Sequence, residues 1–225
     1  MSDTQIAAAA FRVRHKILNC NRCDLRKTCT APVPYRGPVP CRIAVVGEAP
    51  GREEDLAGEP FVGASGLWLR RNLEPIVGSE LFICNTVSCR PPSNRTPYIQ
   101  ERAACFEHLL AQLNLAQPEV VLTLGAPALN TFRPAAKISQ SRGVPFYAFG
   151  FKVLPTYHPA FVLRNLNNKV LLSAILADFR TVNDILSGYW PDECFKCSKP
   201  VERYDLLGIA WCNDCYTTLA AGVTK

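Results

Sequence analysis

The sequence predicts an α/β chain: a three-layer α/β/α domain on a short, mainly parallel central sheet over residues 1–187, followed by a small four-cysteine module over residues 188–225. Three observations carry this expectation. Short apolar runs rich in Val, Ile and Leu alternate with segments whose apolar residues recur at helical spacing. A turn bearing Gly, Pro or Asn follows each apolar run. Two Cys-x-x-Cys pairs lie beyond the last helical pattern.

The strand candidates are RIAVVG (42–47), LFICN (81–85), EVVLTLG (119–125) and FKVLPTY (151–157). Near-continuous apolar runs of this length suit parallel strands covered on both faces. Two helices stand out between and after them. Over 99–114, Ala103, Phe106, Leu109, Leu110 and Leu113 mark one face, and over 169–186 Leu172, Ile175, Leu176, Phe179, Val182 and Leu186 do the same. Strand–helix alternation predicts a sheet with helices on both faces. The Pro-rich stretch TAPVPYRGPVP (30–40) reads as an extended connector, and SGYWPDE (187–193) as the linker to the C-terminal module.

Composition bounds the rest. With 225 residues and 48% hydrophobic content, the chain can bury one sizeable core. No run approaches the roughly 20 apolar residues a membrane helix needs, so no membrane partner is expected. MSDTQIAAAA lacks the basic start and longer apolar core of a secretory signal, so a cytoplasmic setting is expected, and a monomer with it. Net charge is +6; residues 188–225 hold 4 Lys/Arg and 5 Asp/Glu, which leaves 21 and 14 in the main body. The basic surplus is compatible with a polyanionic partner such as nucleic acid. Eleven cysteines in a cytosolic chain of this size point to metal rather than disulfides.

In parallel sheets of this kind, sites form beyond the C-terminal ends of the strands. GEAPGREED (47–55), NTVSCRPPSNRTP (85–97), LGAPALN (124–130) and YHPAFVLRN (157–165) follow the four strands and can face one crevice. The first carries Glu48, Glu53, Glu54 and Asp55 against one cation, Arg52. It lacks the Gly-Lys-Ser/Thr and G-x-G-x-x-G patterns of phosphate loops, and its acids would repel phosphate. Glu53, Glu54 and Asp55 suit a helix start; Glu48, directly after the strand, does not. His158 lies at a strand end, precedes a proline and is expected to share the crevice with Glu48. His15 and His108 have no such context and read as structural.

Taken in order, GEAPGREED, PFVGASG (60–66), NTVSCRPPSNRTP, the RG of SQSRGVP (139–145) and TYHPAFVLRN (156–165) resemble the family 4 uracil-DNA glycosylases, the iron–sulfur branch of that superfamily. The resemblance runs from about Cys20 to about Asp184. Relatives that crosslink to DNA carry a basic, histidine-containing insertion after the second strand. CRPPSNR stands there instead, which favours the hydrolytic branch.

The resemblance implies a base-excision repair enzyme that hydrolyses the N-glycosidic bond of uracil flipped out of DNA and leaves an abasic site. It implies a [4Fe–4S] cluster on Cys20, Cys23, Cys89 and Cys105, thiolates being the expected ligands. Cys29 and Cys41 lie close enough in sequence to compete, and Cys84 is expected in the core beside Asn85. Phe61 would stack on the flipped ring, Asn85 would read its edge, His158 would donate to O2, and Glu48 would position water and offset the positive sugar. Ala49 and Glu54 would line the base pocket, Glu54 helping to exclude the thymine methyl. Phe161, Val162, Leu163 and Arg164 would form the wedge that fills the gap, and Arg90, Arg95 and Arg164 would meet phosphates. Another modified pyrimidine as substrate, or a non-catalytic lesion-binding protein that keeps the cluster, are the competing readings.

Cys194 and Cys197, then fourteen residues, then Cys212 and Cys215, form a strong metal signature outside the usual family 4 pattern. Four thiolates around zinc would close a segment too short to fold on a core of its own. A rubredoxin-like iron site is the alternative. This zinc-ribbon-like module is slightly acidic, so charge does not favour DNA. A protein partner, or single-stranded DNA through Phe195, Trp211 and Tyr216, is the expected contact.

Overall fold

The computed structural model describes residues 2–190, 203–204 and 210–211. Within these, strands β1 (Ile43–Gly47), β2 (Leu81–Asn85), β3 (Val120–Leu124), β4 (Phe146–Ala148) and β5 (Phe151–Thr156) form one sheet in the order β2-β1-β3-β5-β4. The pairings β1–β2, β1–β3 and β3–β5 are parallel, and β4 pairs antiparallel with β5 at the edge. The mainly parallel expectation therefore holds. Helices α1 (Asp3–Leu18), α2 (Arg52–Ala57), α3 (Ala64–Val77), α4 (Ile99–Ala116), α5 (Gly125–Phe132), α6 (Ile138–Ser141), α7 (Pro159–Leu163) and α8 (Lys169–Leu186) complete the domain.

Side-chain alternation along the strands builds the three layers. Ala44 and Val46 of β1, with Phe82 and Cys84 of β2, face Leu109 and Leu113 of α4 and Phe132 of α5. Ile43 and Val45 of β1, with Ile83, Leu122 and Leu154, face Leu69 and Leu73 of α3 and Ile175, Phe179 and Val182 of α8. Every residue of β1, β2 and β3 is buried, as the continuous apolar runs require. Cys84 lies in this core as expected. The Pro-rich connector is extended and pairs with β2 through one bridge, Arg36 to Ile83.

Helix starts are fixed locally. Asn168 Oδ1 accepts from Leu171 N at 3.0 Å to cap α8, and Glu101 accepts from Tyr98 N at 2.7 Å at the start of α4. The end of β5 is tied down by a buried network. Arg142, from the SQSRGVP stretch, forks onto both carboxylate oxygens of Asp178 on α8, its Nε at 2.9 Å. Thr156 Oγ1 donates to the same carboxylate at 2.6 Å. The RG motif thereby clamps the strand that leads to His158 onto α8.

Two short strands, β6 (Arg203–Tyr204) and β7 (Ala210–Trp211), pair antiparallel between the two C-terminal Cys-x-x-Cys pairs. Cys194, Cys197, Cys212, Cys215, Phe195 and Tyr216 lie outside the described residues, as does the side chain of Trp211.

Asp178 is 1% exposed, so removing it strands a partly buried guanidinium. Asp178→Ala should lower stability by about 3–5 kcal/mol in urea denaturation. A loss below about 1 kcal/mol, the size of an exposed pair, would contradict the clamp.

Candidate active site

The strand register sets the site. Gly47 ends β1 directly opposite Asn85, which ends β2. A Cβ on Gly47 would lie 2.4 Å from Asn85 Oδ1 and 2.6 Å from the Phe61 ring. Glycine is therefore required here: its missing side chain is the space in which the amide and the ring meet. Phe61 is buried with φ at 56°, and Gly66 of α3 packs against its backbone. Asn85 is buried and its Oδ1 has no hydrogen-bond partner. A buried acceptor left unpaired costs roughly 1–3 kcal/mol. That cost is recovered only when a donor enters.

These residues line a crevice of about 590 Å³ together with Glu48, Ala49, Glu54, His158 and Arg164. The expected residues from the first, second and fourth loops thus converge beyond the strand ends. The third loop contributes space: Gly125, at φ +83°, stands where a Cβ would be 3.1 Å from His158 Cβ.

Glu48 is held by its backbone. Thr86 N donates to Gly47 O at 3.0 Å, and Thr86 Oγ1 donates to Glu48 O at 2.6 Å. This leaves the carboxylate half-buried at the crevice. Thr86 was not singled out from the sequence; its adjacency to Asn85 was the available signal. The other acids of the turn have separate structural tasks. Glu54 accepts from Gly51 N at 3.0 Å and from Gly63 N at 2.9 Å, clamping the turn to the PFVGASG loop. Asp55 is buried and accepts from both Thr30 N, at 2.9 Å, and Thr30 Oγ1, at 2.8 Å. It is an anchor for the cysteine-bearing segment as well as a helix-start acid. Glu53 is exposed.

His158 caps α7, its Nδ1 accepting from Ala160 N at 3.1 Å. With Nδ1 an acceptor, the hydrogen of the neutral ring sits on Nε2. Burial lowers the imidazole to about 4, the Arg164 cation adds to the effect, and Glu54 opposes it. His158 is therefore a neutral donor across the neutral pH range.

A second cavity lies behind the turn. Cys20, Cys23, Cys89 and Cys105 line it with Ile17, Leu25, Val87 and His108. Ala49 touches both places, lining the crevice and packing on the cluster of Leu25, Val87 and Cys89. Among the described residues, no three Cys, His, Asp or Glu side chains close on a single metal ion. A four-iron cube is a bulkier group than one ion, and four thiols around an apolar cavity are the donor set it takes. Burial raises the Cys23 and Cys89 thiols and takes Cys105 to about 11, so metal binding there would release protons. Cys29 packs against the cluster of Leu25, Val87 and Cys89, its thiol directed to Arg26 O, and does not line the cavity. Cys41 points elsewhere, bonded to Ile43 O and Glu80 O at the start of β1.

Residues 34–180 match the model of the uracil DNA glycosylase superfamily. The chain belongs to that superfamily. A type-4 uracil-DNA glycosylase of Thermotoga maritima is 43% identical over 163 residues, covering 70% of this chain and 85% of that protein. Those of Archaeoglobus fulgidus and Saccharolobus solfataricus are 42% and 36% identical, covering 66% and 78% of this chain and 80% and 85% of their own lengths. The superfamily match ends before the C-terminal module.

The nucleic-acid residues expected from the family resemblance need correction in two places. Val162 is 1% exposed and packs in the core, so it cannot fill a gap in DNA. The exposed residues of that helix and its cap are Phe161, leaning on Tyr157, and Arg164, with Leu163 half-buried. Arg95 lines the crevice but gives its guanidinium to Glu101 in two bonds of 2.8 and 2.7 Å, stacked over Tyr98 at 3.8 Å. It braces the start of α4 rather than offering a free phosphate contact. Arg90 donates Nε to Asn94 at 2.7 Å and does not line the crevice, whereas Arg164 is exposed and does.

Because the folded-state value of His158 lies below the unfolded one, the unfolded chain takes up the proton first. This group costs stability progressively as pH falls from about 6.5 to about 4, and adds no further loss below that. NMR titration should find His158 neutral down to a midpoint near 4. A midpoint near 6.5 would contradict a neutral donor in the partly buried crevice.

Proposed function

We propose that this protein is a uracil-DNA glycosylase of base-excision repair, hydrolysing the C1′–N1 bond of uracil flipped out of DNA. The observation that carries the proposal is the buried, unpaired Oδ1 of Asn85 beside the Phe61 ring. A flipped uracil brings N3–H to that oxygen and offers O4 to the amide nitrogen, while its ring stacks on Phe61. Cytosine has an acceptor at N3 and a donor at its 4-position, so both pairs would fail. Leaving buried polar groups unpaired is a strong basis for rejection. The names of the Thermotoga, Archaeoglobus and Saccharolobus relatives agree with this substrate.

The chemistry follows from charge. Breaking C1′–N1 sends the electron pair to uracil and leaves oxocarbenium character on the sugar. The Nε2–H of neutral His158 donates to O2, where the negative charge collects; preorganised donors of this kind are often the largest catalytic term. Glu48, which lines the same crevice, offsets the positive sugar and orients the water that adds to C1′. The proton released by that water ends on the departing uracil. Arg90 and Arg164 hold phosphates, and Phe161 enters the gap in the stack. Glu54 shapes the pocket through its two amide clamps.

In this reading Cys20, Cys23, Cys89 and Cys105 hold a [4Fe–4S] cluster. Glycosidic hydrolysis moves no electron, so the cluster supplies cohesion between the N-terminal segment, the loop after β2 and α4. The free thiols it needs fit a reducing, cytoplasmic setting. Zinc on Cys194, Cys197, Cys212 and Cys215 completes the proposal. Metal analysis should find about four iron and one zinc per chain; iron without zinc would overturn the ribbon assignment.

The assay is release of uracil from single- and double-stranded DNA, read as alkali-induced scission. His158→Ala should slow single-turnover release by about 10²–10³, and Glu48→Ala should abolish most of what the wild type does. No scission by the wild type above these variants would overturn the enzymatic reading. Asn85→Asp removes the donor to O4 and puts an acceptor where the cytosine amino group would sit, so it should cut the uracil-to-cytosine ratio; an unchanged ratio would remove Asn85 from base reading.

A further inference from the structure

His108 lies on α4 one turn after Cys105 and is buried. It lines the same cavity as Cys20, Cys23, Cys89 and Cys105. Its Nε2 is buried without a hydrogen-bond partner. A buried ring nitrogen in that condition is costly unless something polar meets it. The cavity wall is mainly sulfur and apolar carbon, and its other polar residues, Arg22, Arg26 and Ser88, make no hydrogen bond to His108 Nε2. Gln112 has the other unpaired atom of this helix, Oε1, but its Nε2 already donates to His108 O at 3.0 Å and Gln112 does not line the cavity.

We propose that His108 donates its Nε2–H to a sulfur of the [4Fe–4S] cluster and thereby sets the cluster's reduction potential. The inference rests on the cluster reading above. Four thiolates already match the four irons of a cube, so the ring acts as a donor to sulfur and not as a ligand. A hydrogen bond to a cluster sulfur favours the more negative, reduced state and raises the potential. His108 is thus a tuning residue outside the crevice, with no contact to DNA or base.

The test uses the full-length holoprotein. Redox titration followed by EPR should place the midpoint of His108→Phe below that of the wild type, with iron and sulfide content and uracil release unchanged. His108→Gln keeps a donor and should recover at least half of the shift. Resonance Raman Fe–S bands should move between wild type and His108→Phe in the same order. Equal midpoints and bands at equal iron content would overturn the inference. A shift as large in Gln112→Leu as in His108→Phe would also overturn it, by assigning the bond to Gln112. Should His108→Phe fail to assemble, pulsed EPR of the reduced wild type labelled with ¹⁵N-histidine decides: a ¹⁵N coupling supports the bond and its absence removes it. Protein without iron would instead remove the cluster reading itself, so the two failures are distinguishable.

Discussion

The pairing of Gly47 with Asn85 at the ends of two parallel strands is the constraint on which the site depends. Parallel register places the last residues of β1 and β2 side by side. Only a residue without a side chain leaves room there for the Asn85 amide and the Phe61 ring. The next residue on each strand inherits the arrangement: Thr86 bonds back to Gly47 and Glu48, and so fixes where the Glu48 carboxylate stands. In the proposed reaction, base reading and water positioning would both be set by this one backbone geometry, buried on both faces by the core.

The acidity of the first turn on a basic protein has a physical division of labour. Glu54 binds two amides and Asp55 binds Thr30, so both carboxylates are used to hold loops together. Glu48 faces the crevice, where a positive sugar would form. Burial keeps His158, which lines the same crevice, neutral, so in the proposed reaction it would donate a hydrogen bond without adding a full charge beside the sugar. In the proposed reading, phosphate contacts would fall to arginines such as Arg164, which is exposed at the crevice. Asp55 also joins the turn, through Thr30, to the segment that carries Cys20, Cys23 and Cys29, and Ala49 packs from the crevice onto Leu25, Val87 and Cys89.

Much of this was legible in the sequence. The four strands appeared within a residue or so of their limits because continuous Val/Ile/Leu runs between Gly and Pro signals have few other solutions. Helices α4 and α8 appeared through their spacing. The antiparallel edge strand β4 and helices α1 and α3 were not identified: β4 is three residues long, α1 is rich in Ala, and α3 carries an internal proline. At the site, Glu48, Asn85, Phe61 and His158 came from motif order. Val162 was misjudged because its neighbour Phe161 is exposed and a single turn of helix reverses the face. Arg95 was misjudged because its partner Glu101 lies one helix start away. His108 was set aside because, in one dimension, nothing marks it as lining a cavity with four cysteines. Hydrogen-bond partners across elements are the information a linear pattern does not carry.

The central claim is that the unpaired Asn85 oxygen accepts N3–H of a flipped uracil. Its most direct test is single-turnover release from DNA carrying either uracil or 3-methyluracil at the same position. The two differ at N3, where a methyl replaces the donor hydrogen and meets the buried Asn85 oxygen, and the glycosidic bond is otherwise alike. The account predicts that methylation lowers release by about 10⁴ or more, the penalty for removing a donor that a buried site is built to pair. Comparable rates for the two bases would contradict it.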